Sequence, residues 1–134
     1  MKVKEVIMKI GELRTSVRNF RAGIPGLVSL LVFDRERNLL LYGESDDVVF
    51  SLGEISSCYA RLAGRLERAH ACRKASLGKS VKCMNIVSGR MAVSLRVLSE
   101  KHLVVGECAS QKGLGLLATG ASSLANAMEE VENE

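Results

Sequence analysis

The chain has 134 residues, the size of one domain, and its 47% hydrophobic content with a single proline excludes a disordered polypeptide. Aromatic residues make up 4% and tryptophan is absent, so the core has to be aliphatic. A formal net charge of +4, from 19 basic and 15 acidic residues, permits acidic partners without demanding nucleic acid.

Val3, Val6, Ile7, Ile10, Leu13, Val17 and Phe20 keep helical spacing, which predicts a first helix running from the N-terminus to about Arg21. Gly23-Ile24-Pro25-Gly26 ends it and turns the chain. Leu27 to Phe33 is almost continuously apolar. A strand with one wet face alternates, so this one is expected to be covered on both faces. Asp34 to Asn38 forms a polar turn, and Leu39 to Tyr42 returns as the second strand of a hairpin.

The stretch from Asp46 to Lys74 predicts a long helix that organises the rest. Leu52, Ile55, Tyr59, Leu62, Leu66 and Ala69 fall on one stripe. Gly53, Ser57, Ala60, Gly64 and Ala71 form a second stripe of small residues, and Glu54, Arg61, Arg65 and Arg68 a charged strip between them. Each glycine costs about 1 kcal/mol of helix propensity, while small side chains let another backbone come close. The small stripe therefore reads as a contact surface, the alternative being a solvated face. Asp46 and Asp47 place negative charge at the start, and Ser51-x-x-Glu54 fits a capping box that would begin the regular helix one turn later.

Ser80 to Val87 predicts a third strand, Met91 to Val97 a fourth and His102 to Cys108 a fifth. From Lys112 the chain is helical again, with Leu114, Leu117, Ala121, Leu124, Met128 and Val131 on one stripe, and Glu129 to Glu134 is expected to fray. These elements predict an α/β chain of the α+β type: one three-layer domain over residues 1–134 with a five-stranded, mainly antiparallel sheet. The two terminal helices share one face of the sheet and the long helix covers the other. Val81, Lys82, Cys83, Met84, Asn85, Ile86 and Val87 form an edge strand with Lys82 as its only charge, a template for a second copy.

Chemical motifs are nearly absent. Gly78-Lys79-Ser80 resembles the end of a phosphate-binding loop, but Arg73 stands where that loop needs a glycine, and the strand–helix order is reversed. Two histidines and four scattered cysteines offer no ligand spacing for a metal, and no G-x-S-x-G elbow is present. Arg65, Arg68, Arg73, Lys74, Lys79 and Lys82 make a basic edge without the interleaved aromatics that single-stranded nucleic acid requires. No cofactor, catalytic group, nucleic acid or membrane insertion is expected. The charged N-terminus and the absence of a long apolar run point to a soluble, cytoplasmic chain with reduced thiols.

The order of elements resembles the roadblock/dynein light chain family of small Ras-like GTPase regulators. The resemblance is carried by Gly23-Ile24-Pro25-Gly26 before the buried strand, the Ala/Gly-dotted long helix, the three closing strands, and Gly113-Leu114-Gly115-Leu116 at the last helix. The first hairpin departs from it, because Asp34 to Asn38 lacks the family's glycine; Asn38 can supply the left-handed conformation instead. The resemblance implies a non-enzymatic homodimer joined through the long helix and the edge strand. It further implies a GTPase platform, expected at Gly53, Ser57, Ala60, Arg61, Gly64, Arg65 and Arg68. The family also contains adaptor and scaffold subunits, and a ligand-sensing domain is a third reading of the same layers.

Overall fold

The computed structural model describes residues 5–8, 14–47, 49–77, 82–89, 91–120 and 124. Strand β2 (Leu27–Asp34) sits near the centre of the sheet, and its apolar run is sorted by the period of two. Leu30 and Val32 enter one core with Phe20, Ile24, Tyr42, Val104, Leu117 and Leu124. Leu31 and Phe33 enter a second core with Leu52, Ile55, Tyr59, Leu66, Leu95 and Val105. Helix α1 (Arg14–Ala22) and the terminal helix α3 (residues 112–120) cover the first core; helix α2 (Leu52–Leu77) covers the second. The expected three layers are present. Each leucine held this far from water contributes about 1.5–3 kcal/mol, and both cores are mainly aliphatic, with two aromatic rings in each.

The sheet is antiparallel throughout and follows the order β1-β3-β2-β6-β5-β4, with β1 spanning Glu5–Met8, β3 Leu39–Ser45, β4 Cys83–Ser88, β5 Met91–Val97 and β6 His102–Cys108. All five expected strands are there, and a sixth joins them. The helix expected from the N-terminus to Arg21 is shorter than its spacing suggested: α1 begins at Arg14, and Glu5–Met8 pairs with β3 from Glu5↔Ser45 to Met8↔Tyr42. Helical spacing gave a segment rich in Val and Ile only a local preference. The unpaired N–H and C=O row along β3 supplied a stronger one, because a strand with no neighbour there leaves its backbone groups without partners.

The turns follow their sequences. Asp34 Oδ1 accepts the N–H groups of Glu36 and Arg37, and Asn38 adopts φ 53°, so it takes the left-handed position for which the hairpin has no glycine. Gly26, at φ 82°, turns the chain from α1 into β2. Arg21 at the end of α1 bonds Asp46 at 2.6 Å and pairs with the buried Glu44, whose carboxylate also receives the Tyr42 hydroxyl. Residues 129–134, and Ala121, Met128 and Val131 of the last stripe, lie outside the described residues.

Candidate functional site

Helix α2 begins at Leu52, six residues after Asp46. Ser51 Oγ accepts the Glu54 N–H at 3.2 Å and lies 3.2 Å from Glu54 Oε1, the side chains of the capping box bonding to each other. The upstream acid works elsewhere. Asp47 Oδ1 accepts the N–H groups of Val49 and Phe50 at 2.7 and 2.9 Å, closing the loop before the helix. From there α2 runs for 26 residues with Leu52, Ile55, Tyr59, Ala63 and Leu66 buried. Leu62 is only partly buried, and Ala63 takes a core position that the sequence pattern had not given it.

The expected platform residues do not share a single environment. Gly53, Ser57, Arg61, Arg65 and Arg68 are exposed, whereas Ala60 and Gly64 are half-buried. Ala60 packs on the second core, and its carbonyl accepts the Asn38 amide at 3.0 Å, so the first hairpin braces the helix there. Beside it, Arg35 forks onto Glu67 at 2.7 and 3.1 Å and bonds the Ser99 carbonyl at 2.7 Å, tying hairpin, helix and the β5–β6 turn together. A Cβ added at Gly64 meets nothing within 4 Å. Ser57, Arg61, Gly64 and Arg68, at helical steps of four and three, therefore form the outward ridge, with Arg65 beside it.

Strand β4 lies at one edge of the sheet, paired only with β5 among the described strands. Its course from Cys83 to Ser88 starts later than the sequence suggested; Val81 lies outside the described residues, and Lys82 precedes the strand as an exposed residue. Asn85, Ile86 and Val87 are exposed, with Ile86 at 37% and Val87 at 49%, while Cys83 and Met84 are half-buried. Lys74 and Lys82 share a surface cleft with Arg35 and His70; Lys79, counted with them from sequence, lies outside the described residues.

Sequence reading missed one feature. It placed Tyr59 on the buried stripe but not the partner of its hydroxyl, which donates to Glu107 Oε2 at 2.5 Å. Burial first, and then this bond, raise the Tyr59 phenol pKa far above its ordinary value. Glu107 in an otherwise apolar fifth strand was the signal that could have found it.

No protein-family model and no curated protein match the sequence. The fold does match solved structures. The gliding protein MglB of Thermus thermophilus superposes with a TM-score of 0.71 at 17% identity, over 91% of this chain and 92% of that one. A roadblock/LC7 domain from Streptomyces avermitilis gives 0.71 at 8% identity, over 87% and 94%. An MglB with a tetrameric arrangement gives 0.71 at 17% identity, over 92% of each chain. The fold is that of the roadblock/LC7 domain, as the order of elements implied.

Proposed function

We propose that this chain is a non-enzymatic, homodimeric module that binds and regulates a small Ras-like GTPase. The observation that carries the reading is an edge strand, β4, paired only with β5 among the described strands and exposing Ile86 and Val87, in the same domain as a long helix whose Ser57, Arg61 and Arg68 are exposed. Pairing of two β4 strands would join two sheets and bring two α2 helices side by side. The GTPase role comes from the family resemblance; the likeness to MglB structures supports the fold that the resemblance implied, and the tetrameric arrangement of one of them is in keeping with self-association. Ser57 and Gly64 let a partner approach the α2 backbone, and Arg61, Arg65 and Arg68 offer charge to acidic side chains around the contact. On this reading the chain hydrolyses no nucleotide by itself, since Arg73 stands where a phosphate-binding loop needs glycine.

Light scattering over the micromolar range tests the dimer, and a mass near the 14.5 kDa of one chain throughout would refute it. The platform is tested by Ser57→Arg with Gly64→Arg, positions chosen because Ala60 is braced by Asn38. The double variant should keep its circular dichroism and dimer mass while losing capture of a GTPase from the source cell. Undiminished capture would exclude the ridge as the platform, and loss of the dimer would assign the ridge to the helix–helix seam.

A further inference from the structure

Between the start of α2 and the end of β6 lies a cavity of ≈ 350 Å³, lined by Asp47, Glu54 and Glu107 together with Phe50, Cys58 and Tyr59. Among the described residues no lysine, arginine or histidine lines it, although the outward ridge of the same helix carries Arg61 and Arg68 with Arg65 beside them. Glu107 is only 7% exposed. Its Oε2 is occupied by the Tyr59 hydroxyl, but Oε1 has no hydrogen-bond partner among the described residues. A buried carboxylate oxygen left this way is costly and calls for a completing donor, such as a water, an ion or a ligand.

We propose that this cavity binds the guanidinium or ammonium end of an organic cation, with Glu107 as its innermost acceptor. The sign of the ligand follows from the three acidic side chains. Its shape follows from their separation: among the described residues no three such groups come close enough to hold a metal ion, so a compact ion cannot engage them together and an elongated cation can. The wall is preorganised, since Asp47 accepts two N–H groups and its own N–H donates to Ser45 Oγ at 3.1 Å. Phe50, 55% exposed, offers the edge of the cavity an aromatic face for cation–π contact. The volume suits a ligand the size of one long basic side chain. Such a site depends on neither the dimer nor the GTPase reading.

The test is agmatine titrated into the full chain and followed by nitrogen–proton correlation spectra. Saturable shifts at Cys58, Tyr59 and Glu107 are expected, with none from butanol, a neutral control. Glu107→Gln keeps an acceptor for Tyr59 and removes the charge, so it should weaken agmatine by roughly tenfold or more. Phe50→Ala, at an exposed ring, should weaken it several-fold and decides the matter if Glu107→Gln does not fold. Light scattering on the same samples separates the two sources of the cation. A dimer mass that falls as agmatine is added assigns the group to an arginine of a second copy, and an unchanged mass assigns it to a separate ligand. Absence of saturable shifts, an equal response to butanol, or parental affinity in both variants would overturn the proposal.

Discussion

Replacing Gly106 with alanine should destabilise the domain even though alanine suits a strand better than glycine. A Cβ on Gly106 would lie 2.7 Å from both Cδ atoms of Leu117 and 3.3 Å from its Cγ. Rotating the leucine exchanges one methyl for the other without removing the clash, and Leu117 is 1% exposed, with nowhere to retreat. Either Leu117 leaves its rotamer inside a closed core or helix α3 moves off β6. Overpacking of this kind costs about 1–3 kcal/mol, against which the stiffer unfolded chain returns about 0.4–1 kcal/mol. The net expectation is a loss of about 1–2 kcal/mol, or about 3–8 °C in Tm for a domain of this size. Urea unfolding followed by circular dichroism measures it, with an unchanged m-value showing that only stability moved. Stability equal to or above the parent's would refute the claim that α3 rests directly on the β6 backbone.

Gly64→Ala should act with the opposite sign: its new methyl meets nothing within 4 Å, and the helix gains about 1 kcal/mol, read from the same urea curve. Arg35→Ala should cost about 1–2 kcal/mol, because Glu67 loses both arms of its fork and the Ser99 carbonyl loses a donor. Thiol labelling of the native chain should be fast at the exposed Cys58 and Cys72 and blocked at Cys108, which is buried and whose thiol pKa burial pushes up; mass spectrometry of the labelled peptides reads this. Tyr42 and Tyr59, the only tyrosines, both have phenol pKa values raised in the fold, chiefly by burial. Since an unfolded phenol ionises near about 10, their contribution is complete below that pH and is lost as pH climbs towards the folded values. Tyrosinate absorbance should therefore rise together with loss of circular dichroism, and ionisation near the ordinary value in an intact fold would contradict the burial.

Much of this architecture can be read from local pattern, because the period of each element states which side must be dry. The unbroken apolar run of β2 called for cover on both faces, and it received two separate cores. The N-terminal segment misled because its spacing suits a helix while its fate was decided by the vacant side of β3, a partner some 35 residues away in the chain. The α2 surface was legible only in outline: composition marked Ala60 and Gly64 as small, but the reach of Asn38 across to the Ala60 carbonyl is a tertiary fact. The Tyr59–Glu107 bond joins residues 48 positions apart and leaves no periodic trace.

The two borders of the sheet differ in length, and this sets how far strand addition can proceed. Among the described residues β4 offers six, whereas β1 at the opposite border offers four. A short border is a poor template for another chain. Joining two copies through β4 uses up the longer border of each and leaves only the shorter ones facing outward. On the proposed pairing each copy would thus have an effective valence of one for strand addition, which favours a pair over a fibre.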